Sequence, residues 1–235
     1  MSTQRENVLV SETVREHEGR TAPAPVARSP LALVGTPTVV GGWEYSAGAT
    51  AGPVVVADRS AMSKVSVRVA TNPDVISALG ARFGRSAWSG DRLVVGAGPD
   101  EWLVVGPPSR AAAIIEEVEG AVRAVSPGPV TLVDLTHGRA LMRVSGPETM
   151  TLLRRVTAVD LDDRLVPNGS ALRTSLARVV TDLVRDDQDG TPSWLMHCER
   201  SSGRYLQQSL LAAGSDLGVV AGASSPAWPD HHDRS

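Results

Sequence analysis

The densest grouping of reactive side chains is Asp134-Leu135-Thr136-His137-Gly138-Arg139, which sets a carboxylate, a hydroxyl, an imidazole and a guanidinium within six residues. Two readings of it are open. As a ligand site at a strand end, Asp134 accepts from an amino group, Arg139 pairs with a carboxylate and His137 adds a group that titrates near neutrality, which suits an anion or a heterocycle. As a turn, Asp134 bonds the backbone N–H two residues on and Thr136 assists. Elsewhere, His197 alternates with Met196 and Cys198 in a strand-like run, which favours a buried or edge histidine over a general base. Cys198 is the only cysteine, has no glycine-rich elbow beside it, and reads as a packed thiol. Lys64 is the only lysine, so Schiff-base chemistry has one candidate. His231-His232 reads as part of a solvated tail rather than a metal site.

The motifs of self-sufficient enzymes are missing from the sequence: GxGxxG at a strand-to-helix turn, GxxxxGK[ST], HExxH and GxSxG. Gly96-Ala97-Gly98-Pro99 resembles the start of a dinucleotide loop, but Pro99 and the short strand after it favour a hairpin. The expectation is a chain with no catalytic residue, no metal site and no bound cofactor of its own.

The elements that position these residues follow from periodicity. Gly52 to Ala57 is a short apolar run. From Lys64 to Ala70, Val65, Val67 and Val69 alternate with Lys64, Ser66 and Arg68, the period of a half-buried strand. Asn72-Pro73-Asp74 starts a helix, with a capping side chain, a proline in the first turn and an acid at the positive end. Arg92–Gly96 and Glu101–Val105 form a hairpin. A helix over 109–125 carries the stripe Ile114, Val118, Ala121, Val122 and Val125, with Glu119 one turn from Arg123. Strands at 131–135 and 139–144, a helix at 147–155, a strand pair at 171–185 and 193–200, and a last helix at 204–213 complete the order. The expected class is α+β: four β-β-α units in mixed or antiparallel sheets with helices outside. Asp58 to Val67 can be laid over Asp134 to Arg143, each an Asp-x-Ser/Thr turn entering a strand, so the units are expected to be a pseudo-duplication.

In domain terms, residues 1–27 read as a disordered arm, 28–214 as one domain of two intertwined halves (about 28–126 and 127–214), and 215–235 as a second tail. With 42% hydrophobic residues but few aromatics, the core must be built from Val, Leu and Ala, and Trp43, Trp88 and Trp102 are interface anchors if they are exposed. A formal charge of −3 gives no footprint for nucleic acid. No run approaches the roughly 20 apolar residues of a membrane span, and no secretory leader is visible, so the expected location is the cytoplasm.

Several segments together resemble one family. They are Arg28-Ser29-Pro30-Leu31, Ala57-Asp58-Arg59-Ser60, Gly98-Pro99-Asp100-Glu101-Trp102-Leu103, the Asp134 to Ala140 stretch with Ser145-Gly146-Pro147, and the closing Tyr205-Leu206 helix. Over about residues 28–218 they look like the gamma subunit of heterotetrameric sarcosine oxidase, a family related to the folate-binding domain of the glycine-cleavage T-protein, an aminomethyltransferase. The resemblance implies a complex with alpha, beta and delta subunits. That complex converts sarcosine, oxygen and tetrahydrofolate to glycine, hydrogen peroxide and 5,10-methylenetetrahydrofolate. It also implies that FAD, FMN, NAD and the folate site lie in other subunits, with this chain packed on alpha for assembly. One departure is that the related transferases place a carboxylate pair before a strand where this chain has Gly90-Asp91-Arg92, with a single acid. The alternative is a stand-alone folate-binding or aminomethyltransferase-like one-carbon protein.

Overall fold

The computed structural model describes residues 24–48 and 51–224. Among them the chain runs through a short hairpin, β1 (Thr38–Val40) and β2 (Trp43–Tyr45), and then passes twice through one pattern. The first pass is β3 (Val54–Asp58), β4 (Met62–Val69), α1 (Pro73–Leu79), β5 (Ser86–Ser89), β6 (Arg92–Gly98), β7 (Glu101–Pro108) and α2 (Ala111–Arg123). The second is β8 (Val130–Asp134), β9 (Arg139–Ser145), α3 (Thr149–Val156), β10 (Ala171–Leu176), β11 (Val179–Arg185), β12 (Ser193–Glu199) and α4 (Gly203–Ala213). A last strand, β13 (Val219–Ala221), follows.

The strand orders are β5-β6-β7-β4-β8 and β10-β11-β12-β9-β3-β13. Each sheet takes four strands from one pass and the first strand of the other pass, so β3 and β8 are exchanged between halves. The two orders then coincide strand for strand, as a duplication requires. The turns that make the exchange also match. Asp58 Oδ1 accepts from the Ser60 N–H at 2.7 Å, and Asp134 Oδ1 from the Thr136 N–H at 2.8 Å. The Ser60 hydroxyl bonds the Leu141 backbone and Thr136 Oγ1 accepts from the Lys64 N–H, so each turn is pinned to the strand of the opposite half. The second turn holds one residue more than the first, which sets Leu141 rather than Ala140 opposite Lys64 in the symmetry.

The expected α+β class holds, with two differences in the unit. Each pass is β-β-α-β-β-β-α rather than two β-β-α units. In the first pass β5 is four residues long and carries no periodic signal. In the second, residues 171–185 form a hairpin rather than one strand. Its turn residues, Ala177 and Arg178, sit at φ 46° and 71°, the left-handed region where Gly or Asn would have flagged a tight hairpin turn.

Four layers result. Val65, Val67 and Val69 of β4, Trp102 and Val104 of β7 and the α2 stripe Ile114, Val118 and Val122 bury the outer face of the first sheet. Val54, Val56, Met142, Trp194 and Met196 pack under α3 and α4 through Leu152, Leu153, Leu206 and Leu210. Between the sheets lies a third apolar layer, with Leu93, Leu103 and Val105 on one side and Leu141, Val184 and Leu195 on the other. Because this layer exists, β4 is not half-buried as its alternation suggests. Met62 and Lys64, on its second face, are both fully enclosed.

Local signals act as read at two helices. The Asn72 side chain accepts from the Val75 N–H at 2.9 Å, a cap worth about 1 kcal/mol. Glu119 pairs with Arg123 at 2.7 Å on the surface of α2, worth about 0.3–0.5 kcal/mol. Two expectations are corrected. The three tryptophans are not exposed anchors: Trp43 and Trp102 are buried, and Trp88 is half-buried against the inter-sheet layer. Nor does the folded body stop at 214, because β13 runs parallel beside β3. Residues 1–23 of the expected arm and 225–235 of the expected tail, His231-His232 included, lie outside the described residues. The arm's last residue, Ala27, is bonded to Gly42 and Glu44. Beyond it, Ser29 Oγ donates to Asp58 Oδ2 and Ala32 is bonded on both backbone groups by the Gln207 amide, so this segment straps α4 to the first turn.

Candidate functional site

At one end of the inter-sheet layer, the strand faces that bury Leu103, Leu141 and Leu195 carry charged residues from both sheets, which line one cleft. Strand register orders them into rows. On the second sheet Arg173 stands opposite Asp182 and Asp182 opposite His197, while Arg139 stands opposite Glu199. On the first sheet Glu101, Arg68 and Thr131 form one row across β7, β4 and β8. The two walls line an open cleft of about 230 Å³.

Within the cleft Arg173 holds Asp182 at 2.5 Å and reaches Glu101 of the other sheet at 3.7 Å. Arg139 pairs with Glu199 at 2.6 Å through Nη1, and Arg68 approaches Glu101 at 3.5 Å. At the floor, His197 Nδ1 lies 3.2 Å from Asp182 Oδ2. Burial pushes the His197 imidazole below its usual range despite Asp182, and the positive charges of Lys64 and Arg139 push the same way. Burial alone would raise the Asp182 carboxyl, but the hydrogen bonds from His197 and Arg173 outweigh it and hold the group below the usual carboxylate range. With the imidazole neutral, the lasting positive charge beside Asp182 is that of Arg173. An ionised carboxylate only accepts, so Nδ1 carries the ring proton and donates. Nε2 is then a bare acceptor, buried, with no hydrogen-bond partner.

The six-residue motif is divided by this geometry. Arg139 enters the cleft. Asp134 and His137 face a different depression, beside the start of α2, where the exposed His137 ring stacks on Trp43 at 4.9 Å and 11°. Asp134 makes the turn bond described above, and the structure does not bring the three residues to one point. Asp91 lies in the β5–β6 turn, 3.8 Å from Arg92, whose guanidinium also holds Glu117 at 2.6 Å. Sequence reasoning missed Arg68, Glu101, Arg173, Asp182 and Glu199. The only signal was charged residues at alternating positions on five strands, and their meeting depends on register, which alternation does not give.

The two remaining reactive groups are committed to the interior. Lys64 Nζ donates to the Ser60 and Met62 carbonyl oxygens at 2.7 and 2.8 Å, and burial lowers its pKa to about 7. Burial pushes the Cys198 thiol up to about 11. As the sole lysine, Lys64 also reports on opening of the fold. An amine-reactive reagent is expected to leave Lys64 unmodified in the native chain and to label it in denaturant, read by peptide mass. Labelling at native rates equal to those in denaturant would contradict its enclosure. Among the described residues no helix is long and apolar enough to cross a membrane, and no group of three or more His, Cys, Asp or Glu is arranged for a metal.

Comparison with known proteins gives concordant matches. The GCVT N-terminal domain family matches residues 85–225. The gamma subunit of sarcosine oxidase from an Arthrobacter species is 30% identical over 156 residues, 63% of this chain and 73% of the relative. The gamma subunit from Corynebacterium sp. (strain P-1) is 28% identical over 179 residues, 72% and 84% of the two chains. Among solved structures, a chain of the heterotetrameric sarcosine oxidase from Corynebacterium sp. U-96, in complex with pyrrole 2-carboxylate, superposes with TM-score 0.61 at 24% identity, covering 71% of this chain and 87% of that one. The glycine cleavage system aminomethyltransferase T from Bartonella henselae superposes with TM-score 0.58 at 15% identity, covering 80% and 55%. At these identities the two superpositions speak for the fold.

Proposed function

The chain belongs to the family of sarcosine oxidase gamma subunits, which carries the GCVT N-terminal domain, and from that premise we propose that it is the non-catalytic gamma subunit of a cytoplasmic heterotetrameric sarcosine oxidase. Its role is assembly with alpha, beta and delta subunits, packed against alpha. The assembled enzyme turns sarcosine, oxygen and tetrahydrofolate into glycine, hydrogen peroxide and 5,10-methylenetetrahydrofolate, with FAD, FMN, NAD and the folate site held by the other subunits. The observation that carries this reading is the match to two gamma subunits over 73% and 84% of their lengths. Its non-catalytic part is supported by the commitment of Lys64 to two carbonyls and by the buried thiol of Cys198, neither of which is placed as a nucleophile. The folate alternative is disfavoured by the sequence Gly90-Asp91-Arg92, which offers one acid where the related transferases place a pair.

The purified chain alone is expected to show no flavin absorbance, no sarcosine-dependent peroxide and no heat with tetrahydrofolate. Stoichiometric flavin on the lone chain would overturn the assembly role, and saturable folate heat would restore the one-carbon alternative.

A further inference from the structure

The duplication leaves one position filled in one half and open in the other. β3 and β8 are counterparts, with Val54, Val56, Ala57 and Asp58 at the places of Val130, Leu132, Val133 and Asp134. Beyond β3 stands β13, and Gly222, directly after it, extends the parallel pairing by donating its N–H to the Val56 carbonyl oxygen at 2.8 Å. Beyond β8, among the described residues, there is no strand, so β8 is an edge of its sheet. The difference shows in burial. Ala57 is 7% exposed and Val133 is 46% exposed, while Val54 and Val56 are fully buried and Val130 and Leu132 only half-buried.

The backbone of this edge is open as well. Leu135 donates its N–H to the Lys64 carbonyl oxygen at 2.8 Å, and the register with β4 carries the alternation back along the strand. Val133 and Thr131 therefore bond β4, while Asp134, Leu132 and Val130 turn N–H and C=O outward. Leu132 holds the place of Val56, the residue that Gly222 meets in the other half. An edge of this kind recruits an added strand. On one flank Thr131, Val133 and Leu135 line a groove, and on the other Val130 and Leu132 pack against the apolar layer under α2, so an added strand finds apolar surface on both of its faces.

We propose that Val8-Leu9-Val10 of this same chain adds to the open edge of β8 as a parallel strand, as β13 adds to β3, and so covers Val133. Val8 to Val10 is the longest apolar run in residues 1–23, and its β-branched composition matches Val219-Val220-Ala221 of β13. The other end of the chain is unsuited, because Pro226 and Pro229 interrupt it. The arm rejoins the folded body near the right end of β8. Ala27 is bonded to Gly42 and Glu44, and the ring of Trp43 between them stacks on His137, three residues beyond Asp134. A strand running towards that junction is parallel to β8, and the intervening residues 11–23 span up to about 40 Å when extended. The tether holds the segment at an effective concentration of roughly millimolar, an advantage over a second copy or a partner's strand. The pairing lies within this chain and does not depend on the assembly reading.

The test is amide hydrogen exchange, read at single residues by NMR, on the full-length chain and on a chain lacking residues 1–15. In the full-length chain the Leu132 and Asp134 amides are expected to exchange at least about tenfold more slowly than in the truncated one, with the Thr131 and Val133 amides, bonded to β4, changing far less. Neighbouring residues of a strand point to opposite edges, so Val8→Pro combined with Leu9→Pro removes the donor facing β8 in either register and should reproduce the truncation. Equal exchange with and without the arm would overturn the proposal. Protection that survives truncation and grows with protein concentration would put a second copy on the edge. Protection that arises only when the other subunits are added would put a partner's strand there, and either result overturns it too.

Discussion

Replacing Asp186 by alanine is expected to destabilise the chain by about 3–5 kcal/mol, read as a drop in the denaturation midpoint at unchanged slope. Asp186 sits at the opposite end of the inter-sheet layer from the cleft. Its Oδ2 accepts from Arg143 Nη2 at 2.7 Å, with both side chains under a tenth exposed. The same carboxylate accepts from Trp88 Nε1 at 3.0 Å and from the Gln188 amide at 2.8 Å. Removing it leaves a guanidinium buried without a counter-charge, and that uncompensated charge, rather than the lost attraction, dominates the cost. Arg143 keeps bonds to Ser193 Oγ and the Asp186 carbonyl, which do not neutralise it. Arg143→Met, which removes the charge and keeps the volume, should cost less than the carboxylate deletion. Equal losses from the two changes would mean that packing, not charge, holds this end together.

The second large effect is on pH dependence. Lys64 has a reference value of 10.5 and is lowered to about 7 by burial in the native chain. A group whose folded pKa lies below its unfolded value is protonated in the unfolded chain and deprotonated in the native one between the two. In that window the unfolded state binds more protons, and stability rises with pH by about 1.4 kcal/mol per unit for a single group. Cys198 acts in the opposite sense above 9.0, its reference value, because its thiol is pushed up to about 11 in the native chain. The window from pH 7 to 9 therefore isolates the lysine. Unfolding free energy is expected to climb across it in the parent chain and to stay flat in Lys64→Met. A flat profile in the parent, or an equal climb in the variant, would contradict a buried amine that is released by unfolding. Below the 6.5 reference of His197 both chains should lose stability together, since that imidazole is buried in its neutral form and must gain a proton on unfolding.

What could be read ahead of the structure was what is encoded locally. The valine alternation of β4, the Asn72 cap and the Glu119–Arg123 pair each depend on residues within one or two turns of each other, and each is present as the residues indicate. The duplication was legible at one point because the Asp-x-Ser/Thr turn must recur wherever the chain crosses between sheets. What depends on long-range placement was not legible. Lys64 looked like a solvent-facing residue because a strand's two faces cannot reveal that a second sheet covers the polar one. The Ala177-Arg178 turn was hidden because neither residue type favours positive φ, and β13 was hidden because three residues gain their strand only from β3. The same limit explains the cleft. Arg173, Asp182 and His197 lie on three strands and meet only through register, while Asp134 and Arg139, five positions apart, are turned to different surfaces by the crossing between sheets.

The most direct measurement of the assembly role is a tagged pull-down of this chain from its native host at low salt, with the eluate assayed for flavin absorbance and sarcosine-dependent peroxide. The account predicts three partner chains, a flavin spectrum and peroxide formation in one complex. A colourless, solitary chain from cells that make active sarcosine oxidase would contradict it.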